Sequence, residues 1–350
     1  MVVIVNKLDI KSLNKQELTE YLKLNGEKPY RASQVYEWLH VKLIQDYEEM
    51  SNIPKNLRSY LAENTDLKNL KLIRTLTSKT GETSKFLFQL EDDNLLECVL
   101  MKYHHGNSVC ISSQVGCKMG CRFCASTLNG FERNLTASEM LNQIYMVQRI
   151  TGERVSNVVV MGTGEPLDNY ANLVTFIKLL SDENGLNISQ RNITVSTCGL
   201  ADKIRELAEE NFQITLALSL HASNDAVRKE LMPIANRYSI AEVLKACDDY
   251  FQKTGRRMTF EYSLIAGEND TPDLAKELSA LLKGKNAHVN LIPVNPIKER
   301  DYKQSQGESI QKFKLILEKY GINVTIRREM GTDINAACGQ LRKSYMEETS

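Results

Sequence analysis

The 350-residue sequence predicts an α/β protein whose main domain is a partial barrel built from six βα units. From Ser108 onward, strand-like runs alternate with helical patterns six times, as expected around a parallel sheet. Two other regions precede this domain. Apolar residues recur with a helical period over residues 1–66 and alternate with a period of two over residues 67–103. Six units are fewer than the eight of a closed βα barrel, so we expect an open barrel with room for a large substrate.

Three helices are predicted in residues 1–66, which we interpret as an accessory domain. Asn14 and Glu17 fit a capping box at the start of the first helix, and Pro54 suits the first turn of the third. The second helix is expected over about 33–43. Residues 67–103 are predicted to form an antiparallel β extension with strands at 70–76, 84–90 and 95–103.

The main domain is expected over residues 104–333, followed by a C-terminal segment, 334–350. Capping boxes at Thr136/Glu139 and Ser239/Glu242 begin two of its helices. An apolar run at 322–326 could add an edge strand. The six main strands are expected near 108–113, 155–161, 191–196, 213–220, 257–264 and 287–292.

Composition limits where the protein acts. No apolar run reaches eighteen residues, and the first seven residues do not resemble a signal peptide, so we expect neither a membrane span nor secretion. Eight cysteines without a secretory signal favour a reducing compartment, the cytoplasm. The net charge is zero, but residues 298–343 carry ten Lys or Arg against six Asp or Glu. That excess could face RNA phosphates or simply be a solvated surface.

Three cysteines lie within eight residues directly after the first barrel strand: Cys117, Cys121 and Cys124. Three thiolates do not complete a tetrahedral zinc site, whereas a [4Fe–4S] cluster with three ligands keeps one iron open for a small chelating molecule. The spacing is also the motif of the radical S-adenosylmethionine (SAM) enzymes. The alternative is a group of incidental thiols.

Polar or small residues follow several other strands: Gly164 and Glu165, then Ser196, then Ser219, Leu220 and His221, and finally Asn295. Each alone is compatible with ordinary turn chemistry. Because the carboxyl ends of the strands meet at one barrel mouth, together they indicate a cofactor site there.

Over nearly its full length the chain resembles the RlmN family of RNA adenine-C2 methyltransferases, related to the Cfr C8 methyltransferases. The matching runs are 110–117, 133–136, 162–168, 219–222 and 327–341. The resemblance implies a partial (β/α)6 radical SAM barrel and a [4Fe–4S] cluster on the three cysteines. It also implies two SAM molecules per turnover, with SAM contacts at Gly164, Glu165, Ser196, Ser219, Leu220, His221 and Asn295.

The resemblance also assigns three catalytic roles. Cys338 takes a methyl group from one SAM and becomes S-methylcysteine. A radical formed from a second SAM activates that methyl group, which adds to C2 of the adenine. Cys110 then releases the product by forming a transient disulfide with Cys338, and Glu97 accepts the C2 proton. Glu97 is also unusual by itself, because it interrupts an apolar strand.

The family acts on an adenosine in the peptidyl transferase centre of 23S rRNA and, in many members, on a tRNA adenosine beside the anticodon. For this chain we therefore expect 23S rRNA and tRNA as partners, a reductant such as flavodoxin or ferredoxin, and a monomer. The N-terminal helices and residues 298–343 are the expected RNA contacts.

Three alternatives stay open. One is a Cfr-like C8 adenosine methyltransferase that confers antibiotic resistance. Another is a different radical SAM reaction, which would have no use for Cys110 and Cys338. The third is a non-catalytic RNA-binding protein with a structural metal. Cys98 and Cys247 match no catalytic position and are interpreted as structural.

Overall fold

A computed structural model describes residues 7–328, 330–336 and 340. Its strands, in chain order, are β1 (Leu8–Asp9), β2 (Thr65–Asp66), β3 (Lys71–Thr77), β4 (Thr83–Gln89), β5 (Leu95–Tyr103), β6 (Gly106–Cys110), β7 (Gln114–Gly116), β8 (Phe131–Asn134), β9 (Val155–Val160), β10 (Ile193–Thr197), β11 (Thr215–Ser219), β12 (Met258–Leu264), β13 (Ala287–Pro293) and β14 (Asn323–Ile326). Its α-helices are α1 (Lys15–Leu24), α2 (Pro29–His40), α3 (Lys55–Asn64), α4 (Ala137–Thr151), α5 (Tyr170–Leu180), α6 (Ala201–Glu209), α7 (Asp225–Leu231), α8 (Ile240–Thr254), α9 (Pro272–Leu282) and α10 (Gly307–Lys319).

A ten-stranded sheet forms the centre of the fold, in the order β14-β13-β12-β11-β10-β9-β6-β5-β4-β3. Strands β6 and β9 to β14 are parallel, while β3, β4 and β5 continue the sheet antiparallel. The predicted α/β class and open parallel barrel are confirmed, as is the edge strand, which is β14. The antiparallel extension is part of the same sheet because β5 pairs with β6.

The three N-terminal helices are present, with Asn14 and Glu17 forming the predicted capping box of α1. Helix α2 begins at Pro29, four residues earlier than predicted, since a proline fits the first helical turn. The helices share one continuous apolar core with the barrel, and buried Lys11 donates to Asn142 Oδ1 of α4 at 2.9 Å. The accessory helices are therefore packed firmly against the barrel.

The chain departs from simple strand–helix alternation at two places. Strands β7 and β8 pair antiparallel between β6 and α4, and two helices, α7 and α8, lie between β11 and β12. Strand β6 also ends at Cys110, three residues before the predicted end at 113. These short elements surround the cysteine loop, where glycines and cysteines obscure the periodic pattern.

After β14 the chain crosses from one edge of the sheet towards the other. The Lys79 amide donates to Asp333 Oδ2 at 2.9 Å, and Arg328 pairs with Glu82 at 2.8 Å. Both contacts are with the β3–β4 connection, so the described residues after β14 (327, 328 and 330–336) span the open side of the barrel. We call this segment the C-terminal crossing. No helix in the described part of the chain combines the length and the apolar character needed to cross a membrane.

Candidate active site

The cysteine loop is shaped by the β7–β8 pair. Gly116 has φ +72°, and a side chain there would overlap the carbonyl oxygen of Gly130. The same carbonyl accepts from the Cys117 amide at 2.9 Å, and the Cys124 amide donates to the Cys121 carbonyl at 3.2 Å. These bonds hold the three cysteines in one compact turn at the end of the first barrel strand.

The donor chemistry of this loop fits an iron–sulfur cluster. Burial raises the pKa of the Cys117 thiol to about 12, and desolvation and the neighbouring thiols raise the pKa of Cys121 as well. Such thiols ionise when a cationic centre binds them. In the described part of the chain no three Cys, His, Asp or Glu side chains are arranged around a single metal ion. In a [4Fe–4S] cluster the three thiolates bind three different irons, so the three side chains need not converge on a single metal position.

A cavity opens at the carboxyl ends of the parallel strands, the end at which βα barrels bind their ligands. Four of the seven predicted SAM contacts line it, together with one cysteine of the loop. They are Ser196, Ser219, His221, Asn295 and Cys124. The structure thus brings the cysteine loop and the strand-end polar residues to one cavity.

His221 is held rigidly at this cavity. It adopts φ +55°, and its Nδ1 accepts from the Ser263 amide at 2.9 Å, which leaves the proton on Nε2. Burial lowers the pKa of His221 to about 3, so the ring is neutral at physiological pH. The Phe123 ring, from the cysteine loop, lies edge-on to the His221 ring, with the two ring centroids 4.8 Å apart. His221 therefore presents an N–H donor rather than a positive charge.

The other three predicted SAM contacts do not line the cavity. Gly164, with φ +108°, packs so closely on Gln114 that a side chain would clash. Glu165 is buried, and its carboxylate accepts from the amides of Cys198 (2.7 Å) and Leu167 (3.1 Å). Burial raises the pKa of Glu165. Leu220 packs its side chain into the core. Their roles as SAM contacts stay predictions.

Several residues that line the cavity, including Met161, Arg327 and Glu261, were not predicted from the sequence. Glu261 lies on β12, where Oε1 accepts from Asn290 Nδ2 at 2.9 Å. In the described chain its buried Oε2 has no hydrogen-bond partner, and burial raises the pKa of this carboxyl. The sequence does contain a signal for Glu261: a glutamate interrupts the largely apolar run 258–264, just as Glu97 interrupts the apolar strand that contains it.

Glu97 lies on the face of β5 that Val99 shares, and its side chain is only 3% exposed. Lys85 Nζ, from β4, pairs with Glu97 Oε1 at 2.9 Å and is itself 7% exposed. The same ammonium group donates to the Asn335 carbonyl at 3.2 Å. Lys85 therefore links Glu97 to the C-terminal crossing.

Cys110 lies opposite Val99 on β6, in a small apolar cluster separate from the main core. Ala336, from the C-terminal crossing, belongs to the same cluster, and Met161 packs against it. Because Met161 also lines the cavity, the cluster adjoins the candidate cofactor site. Cys338 lies outside the described residues, two positions beyond Ala336.

The fold and the site together define a class. An open parallel barrel with a three-cysteine loop after its first strand is the radical SAM fold, and the radical SAM superfamily model matches residues 111–278. A crystal structure of a radical SAM methyltransferase from Sphaerobacter thermophilus superposes with a TM-score of 0.93 at 44% identity. The match covers 96% of this chain and 100% of that one.

The family follows from two further comparisons. The model described as the ribosomal RNA large subunit methyltransferase N-terminal domain matches residues 8–67. A protein from Lachnoclostridium phytofermentans is 65% identical over 99% of this chain and 97% of its own length, and one from Lachnospira eligens is 62% identical over 97% of both. Both are named probable dual-specificity RNA methyltransferase RlmN. The chain belongs to the RlmN family of radical SAM RNA methyltransferases.

Proposed function

We propose that this protein methylates C2 of an adenosine in 23S rRNA and in tRNA, using a methyl group carried on Cys338. The dual specificity named for its relatives supports two RNA substrates. The observation that carries the proposal is the cluster in which Cys110 packs with Ala336, because it brings the segment leading to Cys338 beside a second thiol and close to the cavity.

The carbon to be methylated explains why such an arrangement is needed. C2 of adenine is an electron-poor, amidine-type carbon, so it is not a nucleophile towards an ordinary methyl donor. When bound, the [4Fe–4S] cluster and SAM supply the methyl group and, on reduction, the radical chemistry that activates it. Cys117, Cys121 and Cys124 would hold the cluster, and Ser196, Ser219, His221 and Asn295 would orient SAM beside Cys124.

The three remaining predicted SAM contacts directly follow strands β9 and β11. Gly164 lets this connection pack closely against Gln114, and Leu220 fixes the end of β11, because its amide donates to the Glu261 carbonyl at 3.0 Å. Glu165, in the same layer, holds the β10 turn through the Cys198 amide and would accept from the amino group of SAM.

Glu97 and Cys110 complete the reaction in this proposal. Glu97, oriented by Lys85, accepts the proton lost from C2. The Cys110 thiolate attacks the Cys338 sulfur and forms a disulfide while the bond between that sulfur and the methylene carbon breaks. The electron pair of this bond stays on the carbon, which takes up a proton and becomes the methyl group of the released base. A two-electron thiol reductant then regenerates both thiols. A one-electron carrier such as flavodoxin or ferredoxin would separately supply the electron that the cluster needs in each turnover.

RNA binding is proposed for residues 1–66 and 298–343. The two regions would act differently, because residues 1–66 carry nine Lys or Arg against ten Asp or Glu, whereas residues 298–343 have a basic excess of four. We therefore assign shape recognition to the N-terminal helices and phosphate contacts to the basic region. The target base must leave its stack to reach the cavity.

The test is methylation of 23S rRNA and tRNA by anaerobically reconstituted enzyme, followed by mass spectrometry of the digested RNA. The proposal predicts 2-methyladenosine with the wild type and none with Cys338→Ala. The matched control is Cys247→Ala, since this cysteine is buried in the main core of the barrel, within α8. Full methylation by Cys338→Ala would refute the mechanism, and 8-methyladenosine would favour the Cfr-like alternative.

A further inference from the structure

Arg228, on α7, is a fully buried cation without a carboxylate partner. Its Nη2 donates to the Cys198 carbonyl at 2.7 Å, and its Nε donates to the Leu220 carbonyl at 3.2 Å. Its Nη1 has no hydrogen-bond partner in the described chain, and no described carboxylate lies within ion-pair distance. The guanidinium thus meets only the carbonyl ends of β10 and β11.

Burying a guanidinium in this way is costly. Removing an ion of this size from water costs several kcal/mol even after relaxation, and carbonyl dipoles offset only part of that. Burial accordingly lowers the pKa of Arg228. An anion near the guanidinium would remove most of the cost.

The surroundings of Arg228 show where that anion belongs. The Arg122 amide, inside the cysteine loop, donates to the carbonyl of Leu231 on α7 at 2.9 Å. Gly120 lies against Pro233, so that an added side chain carbon would be 3.4 Å from the proline ring. The segment that carries Arg228 therefore packs directly behind the loop of the three cysteines.

The carbonyls that accept from Arg228 lie beside the proposed cluster site. Cys198 and Leu220 directly follow the ends of β10 and β11, where Ser196 and Ser219 line the same cavity as Cys124 of the cysteine loop. Asp225, on the same helix, favours the charged arginine only from beyond ion-pair distance. The anion that the arginine lacks is then the cluster on the three cysteines.

We propose that Arg228 is the counter-charge of the iron–sulfur cluster and raises its reduction potential. This inference rests on the proposed function, because it needs the cluster on Cys117, Cys121 and Cys124. A cubane core bound by three thiolates is an anion, and accepting one electron from the external reductant increases its negative charge. A fixed positive charge behind the loop stabilises the reduced state more than the oxidised state. Arg228 is thus a positioning residue that acts on the potential through charge.

The experiment is a redox titration of the reconstituted holoenzyme, followed by electron paramagnetic resonance, for the wild type, Arg228→Lys and Arg228→Gln. We expect Arg228→Gln to shift the equilibrium at least tenfold towards the oxidised cluster, about 59 mV lower for a one-electron couple. Arg228→Lys keeps the charge and should stay near the wild-type potential. Arg256→Gln is the matched control, because Arg256 donates to the Ile214 carbonyl at the opposite end of β11.

Each outcome decides a different question. If the wild type holds no cluster by iron count, the proposed function fails. If all variants hold a cluster and Arg228→Gln leaves the potential unchanged, only the counter-charge inference fails. If Arg228→Gln takes up no cluster, the apoproteins are compared by thermal unfolding. The inference is supported if Arg228→Lys takes up the cluster and the apoproteins of both variants unfold at the same midpoint temperature as the wild-type apoprotein. It is overturned if Arg228→Lys and Arg228→Gln both lose the cluster and both unfold at a lower temperature.

Discussion

The buried pair of Lys85 and Glu97 allows a quantitative test of why Glu97 is tolerated inside the barrel. The two side chains are 7% and 3% exposed and their charged atoms are 2.9 Å apart, so neither is solvated. Removing one partner of such a buried pair costs about 3–5 kcal/mol. Lys85→Met also loses the bond to the Asn335 carbonyl, but Asn335 is exposed, so water can replace that bond and the loss should stay within this range.

The double variant Lys85→Met/Glu97→Met should be within about 1 kcal/mol of the wild type, because an apolar pair of similar volume removes both desolvation costs. Urea unfolding of the wild type, both single variants and the double variant measures the coupling energy between the two residues. The stable double variant should nevertheless fail to methylate RNA, since Glu97 is absent.

A surface pair provides the control. Lys102 and Glu153 are 43% and 40% exposed, so Lys102→Met should cost less than about 1 kcal/mol. If Lys85→Met destabilises the protein no more than Lys102→Met does, the buried pair does not behave as proposed. A double variant whose loss equals the sum of the two single losses would likewise contradict the proposed coupling.

Three further predictions concern other parts of the molecule. Glu261→Gln should weaken SAM binding at least tenfold in equilibrium dialysis with iron content unchanged, because a charged acceptor at the cavity is worth about 1.5–3 kcal/mol; unchanged affinity would contradict this. Gly331 has φ +69°, and the side chain carbon of Gly331→Ala would lie 2.8 Å from Thr83 Cγ2. This variant should displace the C-terminal crossing and slow methylation more than tenfold. Gly321→Ala, where the added carbon meets open space, should keep the wild-type rate, and equal rates for the two variants would contradict the prediction. Burial lowers the pKa of His40 to about 3 in the folded protein. As the pH falls below about 6.5, this histidine takes up a proton in the unfolded chain but not in the folded protein. The free energy of unfolding therefore falls by up to about 1.4 kcal/mol per pH unit between about pH 6.5 and about pH 3. Urea unfolding at pH 7.5 and 5.5 should therefore show a smaller loss for His40→Gln than for the wild type, and equal losses would refute the assignment.

Much of the fold was predictable because the parallel strands of the barrel are buried apolar runs with helices between them. The central sheet, its order of strand and helix, and the capping boxes at Asn14, Thr136 and Ser239 follow from local patterns that the structure keeps. The two-residue pair β1–β2 and the ribbon β7–β8 are too short for a periodic signal.

The site was predictable in its parts but not in its electrostatics. The cysteine spacing and strand-end positions indicated a cofactor cavity, and Ser196 and Asn295 do line it. The partner of Glu97 depends on strand register: Leu87 lies opposite Glu97, and Lys85 reaches it diagonally from beside Val99. Arg228 carries no signal in the sequence, because only the packing of α7 behind the cysteine loop reveals its missing anion.

In the proposed mechanism the methyl group is carried on the Cys338 sulfur and Cys110 releases the product. Intact-mass spectrometry of Cys110→Ala incubated with SAM, reductant and substrate RNA tests both roles. We expect a covalent enzyme–RNA adduct, because the thiol that would break the Cys338–carbon bond is gone. Normal methylation by Cys110→Ala, with no adduct, would contradict it.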